Sequence, residues 1–222
     1  MPKRCIKNLL HKFIYVSGKT LPIIAVPSTS GTGAEITVGA MVINAKGRKS
    51  STVVIGLNVP YVVLDSELTV RAPESVTVYC GIDALSHGLE GCLADIKTSE
   101  EDMHKSHECV RLVFRNLPCI LSTPDNIEAR QNMFLAAYYG GNAINKQLAG
   151  YVHAFAHSIG ALYHIPHGKA IALCLTPVIS FTGILVWINL RSYQFIVAFQ
   201  KKLMTRPLLP TDSLPRLKSC LT

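Results

Sequence analysis

The spacing of apolar residues changes along this chain, and the change divides it. LPIIAV (21–26) is a short apolar run closed by Pro27, the pattern of a buried strand. PSTSGTGAE (27–35) follows as a loop of small and hydroxyl residues. ITVGAMVIN (36–44) and STVVIGL (51–57) are rich in β-formers and flank AKGRKS, which predicts a hairpin. YVVLD (61–65) predicts one more strand. From about Pro73 helical spacing takes over. Between Glu74 and Leu93, the residues Val76, Cys80, Ala84, His87 and Gly91 fall near one face. A polar stretch, Asp95–Lys105, leads to a helix through Val110, Val113 and Phe114. A capped helix is predicted to start near Pro124–Asp125, with Gly140–Gly141 inside it or at its end. After Gly150 a helix–turn–helix is predicted, in which Pro166 stops the first helix and Gly168 permits the turn. Strands followed by helices suggest an α+β arrangement or two domains, and no internal repeat is present.

One segment raises the question of a membrane. Ala170–Leu190 holds 21 residues without a charge, long enough to span a bilayer. It also contains Pro177, Gly183, Asn189 and several hydroxyls. A buried core helix broken near Pro177 is the preferred reading.

Composition and charge narrow the class. At 222 residues the chain can bury a real core as one domain or a small pair. Its net charge of +8 is concentrated at the ends: +5 over residues 1–20, +5 over 191–222, and −2 between them. A nucleic-acid binder places its basic patch on folded surface, so nucleic acid is not expected as a partner. Seven scattered cysteines without a C-x-x-C indicate a reducing compartment, and a cytoplasmic protein is expected. The N-terminal stretch is broken by Lys and His, so no secretory leader is expected.

The candidate chemistry lies in the helical part. Four of the eight histidines, His153, His157, His164 and His167, crowd into fifteen residues. Asp83 and His87 stand four apart, so on a helix both side chains point the same way. Carboxylate and imidazole are the usual ligands of a borderline divalent metal. Taken singly, each pair also fits an ordinary helix contact; taken together, they favour metal. The hydroxyls and glycines of PSTSGTGAE fit a phosphate cradle or a plain strand-to-hairpin turn equally well. Lys49 could lend a charge to a phosphate but reads first as a solvated hairpin lysine; Glu90 could be an acid behind the ligands but reads first as a helix-surface residue.

Three blocks together resemble the iron-containing (group III) alcohol dehydrogenases: LPIIAVPSTSGTGAEIT, VVLDSELTVRAPESVTVYCGIDALSHGLEG and GYVHAFAHSIGALYHIPHGKAIA. The resemblance covers about residues 20–180. It implies an α/β remnant of a nucleotide-binding domain (21–72), then a mainly α-helical metal-binding domain (73–180). A basic extension (1–20) and a divergent basic tail (181–222) lie outside it. It implies metal ligation of Fe²⁺ or Zn²⁺ by Asp83, His87, His153 and His167, and a reaction-side role for His157. Ser28, Thr29, Thr32 and Lys49 match positions near the dinucleotide, NAD or NADP. His164 falls where the family varies.

The activity so implied is hydride transfer between a small alcohol or aldehyde and NAD(P), with homo-oligomer formation left open. The chain departs from the family in lacking the Gly-Gly-Gly-Ser stretch that holds the pyrophosphate. A truncated or mis-joined gene product is therefore expected. Two readings follow: a metal-dependent dehydrogenase impaired by truncation, and an inactive metal-binding fragment.

Overall fold

The computed structural model describes residues 13–15, 22–43, 49–55, 59–94 and 98–186. The described residues up to Val178 belong to one compact unit. Residues 179–186 belong to a second and are helical.

The strands come first. β1 (Phe13–Tyr15), β3 (Gly39–Ile43) and β4 (Lys49–Ile55) make a sheet in the order β1-β4-β3. β3 and β4 run antiparallel, from Gly39 opposite Val53 to Ile43 opposite Lys49, so the predicted hairpin pairing forms. Its connection, 44–48, lies outside the described residues. β1 pairs parallel with β4, Phe13 opposite Val53. Part of the segment expected to be an extension thus joins the sheet, because Phe13-Ile14-Tyr15 is a run of strong β-formers. β2 (Ile24–Ala25) and β5 (Tyr61–Val62) form a separate parallel pair. Both are shorter than the apolar runs that contain them.

A 3₁₀ turn, Ser66–Thr69, leads into the helices. α1 (Glu74–Leu93) has the predicted bounds, with Pro73 ahead of its first residue. α2 spans Glu100–Ser122 and takes in the second half of the polar stretch, Asp95–Lys105. The Ser99 hydroxyl caps it by accepting the Asp102 N–H at 3.1 Å, and three acids in the first turn favour its N-terminal dipole. α3 (Ile127–Gln147) starts two residues after the predicted point, because Asn126 supplies the cap by accepting the Ala129 N–H at 2.9 Å.

α4 (Tyr151–Tyr163) and α5 (His167–Val186) form the helix–turn–helix. Its left-handed residue is His164 (φ 55°), not Gly168. The Ile165 N–H reaches back to the Gly160 carbonyl at 3.2 Å, which closes the helix end and sets that turn. Gly168 instead lies inside α5, where a Cβ would meet the Tyr79 carbonyl at 2.6 Å. Nor does Pro177 break α5. Pro177 is exposed, and it costs the helix the one backbone bond that its missing N–H would have given to Leu173. Among the described residues no helix is long and apolar enough to cross a membrane.

The core is built by α1, α2 and α3. Val78, Ile82, Leu85 and Leu89 of α1 recur at helical spacing and are buried. Cys109, Val113 and Leu117 of α2 and Met133, Phe134 and Ala137 of α3 are buried with them. Among the described residues the structure is therefore mainly helical, with few strands, and the strands precede the helices.

Candidate metal centre

Three helices deliver the polar side chains that the core cannot absorb. Asp83 sits mid-way along α1, His153 on the first turn of α4, and His167 at the first residue of α5. One oxygen, Asp83 Oδ1, lies 3.5 Å from His153 Nε2, 3.5 Å from His167 Nε2 and 3.7 Å from His87 Nε2. The ligand atoms of Asp83, His153 and His167 all fall within 4.8 Å of one another. His87 stands beside this trio with its ring stacked on His153, centroids 4.6 Å apart. His157 stacks on His167, also at 4.6 Å, and lies 6.0 Å from His153. His164 is exposed at the turn.

Asp83 Oδ1 and His153 Nε2 are buried and have no hydrogen-bond partner. Leaving such atoms unpaired in an interior costs about 1–3 kcal/mol each. A divalent cation would satisfy both, and oxygen with imidazole nitrogens is the donor set that Fe²⁺ or Zn²⁺ takes. The residues present fit such an ion.

The electrostatics point the same way. Burial opposes ionisation of Asp83, but the surrounding His87, His153 and His167 outweigh it and hold its pKa below the ordinary value. Burial pushes His87 down to about 4, so it is neutral and free to offer a lone pair. Burial also works against a charge on His153, yet Asp83 and Glu90 prevail and raise it to about 9. A proton and a metal ion thus compete for the same ring.

The helix-surface reading preferred for Glu90 is corrected by the structure. The residue is not on the surface: it is 6 % exposed, and its carboxylate pairs with His153 Nδ1 and accepts the Val152 N–H at 2.6 Å. One signal was available, since Asp83, His87 and Glu90 fall at i, i+4 and i+7 of one helix.

The small-residue loop lies close by. Ser28, Thr29 and Thr32 are exposed, and the Thr29 side chain hydrogen-bonds to Cys80, one turn before Asp83. Its glycines serve close packing. A Cβ on Gly31 would meet Cys80 Cβ at 2.7 Å, and one on Gly33 (φ 58°) would meet the Ala137 carbonyl at 2.6 Å. Lys49 opens β4, and its side chain lies outside what the structure describes.

A buried carboxylate facing imidazoles from separate helices, behind a short strand region, defines a helical domain able to hold a divalent cation. The sequence model of the Fe-containing alcohol dehydrogenase family, C-terminal, matches residues 77–206, and the chain belongs to that family. The match runs past residue 180, where the tail was expected to diverge.

Relatives agree. The probable alcohol dehydrogenase EutG of Salmonella typhimurium (strain LT2) is 38 % identical over 162 residues, covering 72 % of this chain and 41 % of its own length. The 1,3-propanediol dehydrogenase of Klebsiella pneumoniae is 36 % identical over 155 residues, covering 69 % and 40 %. Among solved structures, sulfoacetaldehyde reductase from Bifidobacterium kashiwanohense in complex with NAD⁺ is similar at a TM-score of 0.69 and 33 % identity, over 73 % of this chain and 43 % of that one. A 1,3-propanediol oxidoreductase is similar at 0.73 and 31 %, over 78 % and 45 %. The chain spans about two fifths of the length of the curated relatives it matches.

Proposed function

We propose that this chain contributes to a metal-dependent alcohol dehydrogenase that moves hydride between a small alcohol or aldehyde and NAD or NADP. The observation that carries the reading is Asp83 Oδ1, buried, without a hydrogen-bond partner, and within 3.7 Å of three imidazole nitrogens. Asp83, His87, His153 and His167 would hold Fe²⁺ or Zn²⁺. Ser28, Thr29, Thr32 and Lys49 would face the dinucleotide, on a partial nucleotide-binding region at 21–72 ahead of a helical metal domain at 73–180. The relatives named for propanediol support a small alcohol as substrate. A cytoplasmic site of action, a homo-oligomer and the lack of a nucleic-acid partner belong to the same proposal.

When bound, the cation supplies Lewis acidity to the substrate oxygen and the nicotinamide supplies the hydride acceptor. The chain's own residues then have three tasks. Asp83 contributes the negative charge that offsets a cation in a buried site. His157, half-buried and stacked on His167, would accept or return the proton of the substrate hydroxyl. The Thr29–Cys80 contact seats the loop one helical turn from Asp83, and would hold the dinucleotide near the metal.

The test is metal content and nucleotide titration on one purified sample. Stoichiometric Fe²⁺ or Zn²⁺ together with saturable NAD(H) or NADP(H) binding is expected. Metal without nucleotide binding would reduce the chain to a metal-binding fragment. His153→Ala and His167→Ala are each expected to remove most of the metal; unchanged stoichiometry in both sinks the ligand assignment.

A further inference from the structure

We infer that Glu90 is a positioning residue, which fixes the tautomer of His153 and anchors the first turn of α4 against α1. A carboxylate this buried needs compensation, and its hydrogen bonds run to α4 and the residue ahead of it. One oxygen, Oε1, accepts the Val152 N–H at 2.6 Å, and the Gly150 backbone also hydrogen-bonds to the carboxylate. α4 has no side-chain cap of its own. Glu90 therefore supplies from another helix the acceptor that the open N-terminal donors of α4 require, with a charge the helix dipole favours. A Cβ on Gly150 would stand 2.7 Å from Glu90 Oε1, so a larger residue at 150 would displace the carboxylate from its seat.

The other oxygen, Oε2, pairs with His153 Nδ1. An ionised carboxylate only accepts, so the proton between them belongs to Nδ1. That leaves the Nε2 lone pair of a neutral His153 directed at Asp83 Oδ1, two acceptors 3.5 Å apart with no donor between them. Such an arrangement is unfavourable until a proton or a metal cation enters between them. The opposite tautomer would place an Nε2–H against Asp83 and close the site. Carboxylates behind metal-bound histidines commonly act this way. The inference rests on the metal reading proposed above.

Glu90→Gln separates positioning from packing. The variant keeps shape and can still accept from Val152 through its amide oxygen. Its NH₂ group then faces His153 Nδ1, favours a lone pair there, and drives the proton to Nε2. The expected result is unchanged helical circular dichroism with Zn²⁺ affinity lowered about 10- to 100-fold. Long-range ¹⁵N–¹H correlation of the Zn²⁺-loaded wild-type protein should show His153 protonated at Nδ1, a measurement that needs no variant. Equal Zn²⁺ affinity in wild type and Glu90→Gln, or His153 protonated at Nε2 in the loaded protein, overturns the role of Glu90 alone. No Zn²⁺ uptake by the wild-type protein overturns the metal reading and takes this inference with it.

Discussion

Gly33 shows how a single position serves the site from a distance. Its φ of 58° lies in the left-handed region, and the space where a Cβ would stand is filled by the Ala137 carbonyl at 2.6 Å and Gly141 Cα at 2.7 Å. Gly33→Ala therefore meets two penalties at once: a strained backbone, about 1–2 kcal/mol for a side chain in that region, and backbone atoms that cannot rotate away. We expect the variant to lose about 2 kcal/mol or more of stability and to unlatch the 27–35 loop from α3. Urea denaturation would check the first effect, and a weakened nucleotide titration the second; a wild-type midpoint would show that the loop does not seat as described. Glu90 gives the complementary case. Its spacing from Asp83 was readable, but its destination was not. A lone Glu late in a helix is ordinarily solvated, and what buries this one is Gly150, Val152 and His153, some sixty residues further on. Sequence spacing reports which residues share a face of one helix; it does not report what a second helix brings to that face.

At the scale of elements the strongest test concerns the join between strands and helices. Asn145, near the end of α3, accepts the Val38 N–H through Oδ1 at 3.0 Å and donates through Nδ2 to the Ile36 carbonyl at 2.5 Å. These two bonds tie the approach to β3 onto α3. Asn145→Ala removes both, and at roughly 1 kcal/mol for a typical hydrogen bond the cost is local. Exchange of the Val38 amide should accelerate about tenfold while the helical core melts as before; unchanged Val38 protection would dissolve the tether. The elements themselves were legible to differing degrees. α1 was readable to its ends, because Pro73 fixes the start and an apolar stripe runs through it. The hairpin was readable from two β-rich runs around AKGRKS. β1 was not, since its partner β4 lies about forty residues away and its neighbours are basic. The continuity of α5 through Pro177 was not readable either, since proline weakens a helix without stating whether its surroundings allow it to continue. In the site, the i,i+4 pairs pointed to Asp83, His87 and His153, while convergence on a single oxygen depended on how α1, α4 and α5 pack.

For the molecule as a whole, these buried groups give a specific dependence of stability on pH. His153 has a folded pKa raised from 6.5 to about 9, so its contribution is fully present below pH 6.5 and is lost as pH rises through 9. His87 is depressed from 6.5 to about 4, so the folded state resists its protonation and stability is lost as pH falls from 6.5 towards 4. Asp83 and Glu90 are depressed as well, and their contributions, present above 3.8 and 4.5, disappear below those values. Each histidine limb is on the order of 3 kcal/mol, a large part of the stability of a domain this size. The metal-free protein should therefore be most stable near pH 6.5 and weaken on both sides. Saturating Zn²⁺ should act differently on the two sides. The ion replaces the proton on His153, and its binding tightens as protons leave the ligands, so the decline between pH 6.5 and 9 should flatten while the acid limb persists and steepens. Urea midpoints between pH 4.5 and 9, with a chelator and then with Zn²⁺, would show this asymmetry. An alkaline decline of equal depth with and without Zn²⁺ would mean that His153 does not exchange a proton for the metal.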